Sequence, residues 1–388
     1  MKILCIAEEV GKSAPGIVYA TILNELSNYF DIDLVCPEIC SGSISSKINI
    51  LTCKQGLGNR RVNTYSLEFF GTSIFDLLWA QNEIRNLSIY FKTQSFHEVE
   101  LIISFVSMWH FKSVLLGDKL KSMFKKKWVI YSVDAIPSPL GWSKNNLLYR
   151  QYKRFITKRI NKSEAYFSSN NQMLQYQLSL VKEFKGFGGV VFTPIREHSI
   201  IPPHIVNKNS PVFLYTGGIY GPRKKEMLIE GFRLLLRELP AAKLVFVGSG
   251  DSSFFREAQD LIDSESLVLH PFILDLYPFY KEATALIDIN AYFDNDVFLS
   301  SKMVNYLPLR KPIVSITGNN SPSRNIFIND TSIIHCKNQA NEIFESLYKT
   351  INIEVNMEYR QQYIDMFSAQ SVVKKFAKNL EFDVLKKS

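Results

Sequence analysis

The chain is 388 residues long, 46% hydrophobic and 21% charged, with a formal net charge of +8. That length allows two domains, each burying its own core, and that composition excludes a disordered or fibrous chain. No stretch reaches the roughly 18 uninterrupted apolar residues of a membrane span, and the start "MKILCIAEEV", broken by Glu8 and Glu9, does not read as a signal peptide, so the cytoplasm is the expected location.

In chain order, "KILCIA" reads as a buried strand, "PGIVYATILNELSNYF" as a helix with Pro15 at its start, and "IDLVCP" as the next strand. "ELIISFV", the helical "KSVLLGDKLKSMF", "KWVIYSV", a long helical region and "AYFSSN" continue the alternation, which is the pattern of a parallel sheet wrapped by helices. Periodicity stops in "FTPIREHSIIPPHIVNKNSP", Phe192 to Pro211, which reads as a linker. A second series comes next: "VFLYTGG", the helix "KKEMLIEGFRLLLREL", "KLVFVGSG", a helix near "SSFFREAQDLI", "LVLHPF", a helix near "DLYPFYKEA", "ALIDIN", the segment "FLSSKMVNYL" and "PIVSIT". The expected fold is α/β, with two Rossmann-like doubly wound domains facing across a cleft, over 1–200 and 210–365. Cys5, Cys36, Cys40, Cys53 and Cys336 form no CxxC pair and no zinc-site spacing, and read as free buried thiols.

Charge is concentrated from Phe111 to Lys162, which holds 13 Lys and Arg against Asp118 and Asp134. A solubilising face, an anionic membrane surface and an anionic polymer are all compatible with it. Nucleic acid is not expected as a partner, because no binding module accompanies the charge.

In doubly wound sheets ligands bind beyond the carboxyl ends of the strands, so chemistry is sought in the loops there. "YTGGIYGPRKKE" offers Gly217, Gly218 and Gly221 for close backbone approach, followed by Arg223, Lys224 and Lys225 at a helix start, where cations are disfavoured unless an anion joins them. It fits neither the P-loop nor the GxGxxG pattern. "VGSGD" is a second glycine turn, and "LVLHPFI" places His270 at a strand end, where backbone groups can read a flat base. Ser300, Ser301 and Lys302 stand at the mouth of a helix, either as an ordinary N-cap with a solvated lysine or as an anion site.

Taken together, the order strand, "GG…R", helix, "VGSG", "SSK…NYL…KPIV" resembles the retaining nucleotide-sugar glycosyltransferases of family 4 of the GT-B fold, most clearly from Val212 to Val314. The resemblance implies a metal-independent hexosyltransferase without a cofactor, using a UDP- or GDP-linked donor and a glycan or lipid-linked acceptor in O-antigen or capsule synthesis. It implies Arg223 and Lys302 as catalytic grips on the donor diphosphate, with Ser300 and Ser301 beside them and Gly217 and Gly218 in the phosphate loop. Asn305 takes the ribose position that an acid holds in the family, and Gly16 lets phosphate and sugar approach. Asp134 and His110 are candidates on the acceptor side, and the C-terminal helix, about 366–388, packs back on the first domain. A lipid-linked acceptor would give the basic stretch a purpose at the inner membrane face. Departures are Gly218 for an arginine, Asn305 for a glutamate, Arg310 for a glycine and Val133 for a histidine. A left-handed Arg310 would cost roughly 1 kcal/mol. A catalytically silent partner of the same fold and a nucleotide-sugar epimerase are the alternatives.

Overall fold

The computed structural model describes residues 1–51, 82–87, 89–108, 112–196, 208–248 and 252–386. Expectations for Cys53, His110, Gly250, Asp251 and most of the linker lie outside the described residues. The chain divides into two compact units, Met1–Pro194 with Ser368–Ser388, and Ile195–Phe367.

The first unit contains β1 (Lys2–Ile6), β2 (Glu9–Val10), β3 (Asp31–Val35), β4 (Glu38–Ile39), β5 (Asn49–Leu51), β6 (Val99–Val106), β7 (Lys127–Ser132), β8 (Ala165–Ser168) and β9 (Phe187–Val190). Seven of these form one parallel sheet in the order β5-β3-β1-β6-β7-β8-β9, and β2 pairs with β4 apart from it. The apolar runs become strands because helices cover both faces of the sheet: Ile3, Leu4, Cys5 and Ile6 are all fully buried. The helix Ala14–Leu26 begins at Ser13, whose hydroxyl accepts from the Gly16 amide, and buries Tyr19, Ile22, Leu23 and Leu26 on one face. After the second unit the chain returns as the helix Ala369–Asn379, whose Val372, Val373, Phe376 and Ala377 join the core around Tyr19 and Ile22. Lys127 Nζ fastens the turns beyond that helix, donating to the Val384 and Leu385 carbonyls at 3.0 and 2.8 Å.

The second unit contains β10 (Val212–Thr216), β11 (Lys243–Val247), β12 (Leu267–His270), β13 (Ala285–Ile289), β14 (Ile313–Ile316) and β15 (Ile333–Cys336). They form a parallel sheet in the order β12-β11-β10-β13-β14-β15. In both sheets the order reverses beside the first strand, at β1/β6 and at β10/β13. Connections leaving the carboxyl ends there diverge to opposite faces and open a crevice. The helix Glu226–Glu238 packs Leu228, Ile229, Phe232 and Leu235 into the core that Ile343 and Leu347 of the helix Ala340–Thr350 share.

Arg310 ends the turn before β14 at φ 52° and ψ 34°, the left-handed conformation that usually falls to glycine. Cys5, Cys36 and Cys336 are buried free thiols, whereas Cys40 is exposed, because it lies just past β4 at the unit's edge.

Candidate functional site

At the reversal of the second sheet, β10 leads into Gly217, held at φ 94° with its amide donating to the Val247 carbonyl. A Cβ on Gly248 would stand 3.1 Å from the Gly217 Cα, so the ends of β10 and β11 pack closely. A Cβ on Gly217 would stand 2.7 Å from Lys302 Cε. Glycine is therefore required there twice, for its φ and for the lysine laid across it. Gly218 is under no such constraint: a Cβ there meets only Tyr220, at 3.9 Å, while its carbonyl accepts from Tyr215 Oη at 2.9 Å.

Arg223 stacks on the Tyr220 ring at 4.6 Å, and its backbone pairs with Ala291, just past β13. The loops on either side of the reversal are thereby joined. Lys224 Nζ lies 4.6 Å from the Tyr292 ring. Lys225 is not available as a third cation: it is buried, paired with Glu257 at 2.7 Å, and lies 5.3 Å from the Phe255 ring.

Lys302 is largely buried, with Nζ 5.2 Å from the Tyr215 ring, and its ammonium makes no ion pair or hydrogen bond among the described residues. Burial, and then repulsion from Arg223, push its pKa down to about 8, with Asp288 opposing the fall. Asp288, on β13, is fully buried; its Oδ2 accepts from Asn290 Nδ2 at 2.7 Å, and its Oδ1 has no hydrogen-bond partner among the described residues. Sequence reasoning missed Asp288, although an acid inside the apolar run "ALIDI" is itself a signal.

The helix after Ser300 is short, Ser301–Tyr306, so the attraction for an anion rests on the lysine charge more than on a helix dipole. Ser300 is buried at the cap position, but its side chain makes no capping bond. Asn305 Oδ1 accepts from the Arg196 amide at 3.0 Å, where the chain enters this unit, so its Nδ2 is the group left to offer a ligand. His270 ends β12 with its ring edge on Phe279 at 4.8 Å and its carbonyl accepting from the Gly248 amide at 3.0 Å, which is a packing role.

In the first unit, Gly16 meets a carboxylate of the chain itself. A Cβ there would stand 2.1 Å from Glu9 Oε1, and the Glu9 carboxylate accepts from the Lys12 amide at 2.6 Å, the Ser13 amide at 3.0 Å and the Ser13 hydroxyl. The helix start is thus neutralised internally. Asp134 lies just past β7, where its Oδ2 accepts from the Met108 amide at 3.1 Å. Burial raises the pKa values of Tyr19 and Tyr131, and Asp134 raises both further; Ser107, close to Tyr19, offsets part of the rise there. The hydroxyls of Tyr19, Ser107 and Tyr131 are buried without a hydrogen-bond partner among the described residues. This polar cluster gathers residues from a helix and two strand ends, a grouping that no local motif announces.

No protein-family model matches the chain, and no curated protein matches its sequence. Solved structures share its fold. The apo lipopolysaccharide outer core galactosyltransferase WaaB is similar with a TM-score of 0.67 at 14% identity, over 98% of this chain and 99% of its own. HepE from Anabaena, solved in complex with UDP and glucose, gives 0.66 at 11% identity, over 98% and 100%. A glycosyltransferase from Rickettsia africae gives 0.65 at 13% identity, over 100% and 99%. At these identities the likeness is one of architecture: two Rossmann-like α/β domains of the GT-B type.

Proposed function

We propose that this chain is a glycosyltransferase of hexosyl type, moving a sugar with retention from a UDP- or GDP-linked donor to a glycan or lipid-linked acceptor in cell-surface polysaccharide assembly. Lys302 carries the reading. A largely buried ammonium with no ion pair or hydrogen bond among the described residues, laid on a glycine, facing only the Tyr215 ring and repelled by Arg223, is costly until an anion arrives. A donor diphosphate is such an anion, and its charge grows as the sugar departs, so Arg223 and Lys302 stabilise the leaving group more than the bound donor. In this reading they act in place of a metal ion. Gly217 admits the phosphates, Ser300 and Ser301 add hydroxyls, and Asn305 offers Nδ2 to the ribose. Asp134, with the Tyr19 and Ser107 hydroxyls nearby, receives the acceptor hydroxyl. Fold relatives named for galactosyl transfer, or solved with UDP, support the reading.

The test is calorimetric titration with UDP, GDP and ADP in the presence of a chelator, repeated on Arg223→Ala and Lys302→Ala. Micromolar binding of one nucleotide is expected, weakened by each substitution on the order of tenfold or more, the worth of one charge-assisted contact. Absence of binding by all three nucleotides sinks the proposal. A catalytically silent partner is the second reading, favoured by the commitment of the Asn305 oxygen to Arg196. Slow release of nucleoside diphosphate from the donor in water separates the two, since a silent partner releases none.

A further inference from the structure

The helix Leu147–Ile160 buries Phe155, Ile156 and Ile160 in the core of the first unit. On its opposite side Arg150, Arg154 and Lys158 are exposed and four residues apart, so they form a single stripe. Their charged groups make no ion pair or hydrogen bond among the described residues. Much of the neighbouring positive charge is committed elsewhere. Arg159 and Lys162 are held by Asp118 at 3.8 and 2.7 Å, and Lys121 by Glu164 at 2.6 Å. Lys126 donates to the His97 carbonyl, and Lys127 fastens the C-terminal segment. From Ile136 to Lys162 there are seven Lys and Arg and no acid. Two exposed leucines precede the stripe in the chain: Leu147, at the head of the helix three residues before Arg150, is 47% exposed, and Leu140, in the turn before the helix, is 55% exposed.

We infer that Arg150, Arg154 and Lys158, with the exposed Leu147 at the head of their helix and Leu140 in the turn before it, form a docking surface for an anionic lipid bilayer. Lipid headgroups complement the stripe, and the exposed leucines gain only from a partner with an apolar interior below its charges. A soluble polyanion would reward the cations and leave the leucines in water. The inference is independent of the proposed donor chemistry.

The experiment is flotation with phosphatidylcholine vesicles, with and without about a third phosphatidylglycerol, in the absence of nucleotide. The chain is expected to partition onto the anionic vesicles alone and to leave them at high salt. Arg150→Glu, Arg154→Glu and Lys158→Glu together should lower partitioning about a hundredfold, at roughly fivefold per charge. Leu140→Ser with Leu147→Ser should weaken vesicle binding while leaving retention on heparin unchanged. Equal partitioning on both vesicle types, or none on either, overturns the inference, as does a triple variant that still floats. Leucine variants that float normally, combined with loss of heparin retention in the triple variant, would reassign the surface to a soluble polyanion. All five positions are exposed, so thermal melting and nucleotide titration of each variant should match the parent chain. Loss of vesicle binding is thereby distinguished from a failure of the donor site.

Discussion

Burial first, and repulsion from Arg223 second, disfavour the charged form of Lys302, a burden relieved when the lysine loses its proton or an anion joins it. With its pKa moved from the ordinary 10.5 to about 8, Lys302 binds fewer protons folded than unfolded between those values. Where the unfolded chain holds the extra proton, stability rises with pH. The melting temperature of the ligand-free chain, compared with Lys302→Met to remove other titrations, is therefore expected to rise from pH 8 to pH 10. Nucleotide affinity should fall over the same window, as the lysine loses its charge. A constant difference between the parent chain and the variant would mean that Lys302 does not titrate there. Gly16 poses a different test, because its absent side chain makes room for Glu9. Gly16→Ala is expected to cost on the order of 1–3 kcal/mol in urea unfolding, the usual range for overpacking. Combined with Glu9→Ala, which removes the obstructing carboxylate, the double variant should lose less than the sum of the two single variants. Strict additivity would show that the two residues do not act on each other.

Among the elements, those that fill the cores were legible from their own residues. "KILCI" and "ALIDI" are nearly unbroken apolar runs because helices cover both faces of their sheets, and Leu228, Ile229, Phe232 and Leu235 recur at helical spacing. What stayed hidden depends on partners that only the folded chain brings alongside. Lys225 reads as a phosphate cation until Glu257 is seen beside it, and Gly16 reads as a substrate glycine until Glu9 folds over it. Asn305 reads as a ribose ligand at either end of its amide, until the Arg196 amide claims the oxygen and leaves Nδ2 for that role. The helix Met357–Phe367 is a further case. Its Arg360, fully buried, pairs with Asp330 and donates to the Ser332 hydroxyl and to the Lys311 carbonyl at 3.1 Å, fixing the turn that carries the strained Arg310. Arg360→Met should destabilise the second unit by about 3–5 kcal/mol, the usual cost of removing one partner of a buried pair. Urea unfolding measures this, and a loss below about 1 kcal/mol, the worth of a surface pair, would mean that the network does not hold the turn.

On the scale of the whole molecule, the chain is threaded unequally. The second unit is one continuous stretch, Ile195–Phe367, whereas the first is completed only when Ser368–Ser388 returns to it. That return was expected from the family resemblance, since a stretch such as "SVVKKFAKNLEFDVL" shows its amphipathic face but not the core that accepts it. Val372, Val373, Phe376 and Ala377 enter the core of the first unit. At roughly 1.5–3 kcal/mol for each larger apolar side chain, losing them would remove about as much free energy as a whole domain has to spare. Deleting 368–388 should therefore unfold the first unit and abolish its thermal transition. Arg223, Lys302, Gly217 and Asn305 all lie within Ile195–Phe367, so the donor grip we propose belongs to the part that needs no return. The isolated segment 195–367 is expected to melt cooperatively and to bind the nucleotide within about tenfold of the full chain, or about 1.4 kcal/mol. If it folds but the nucleotide no longer binds, groups outside that segment must share the grip, and the assignment of the diphosphate to residues of the second unit alone would be wrong.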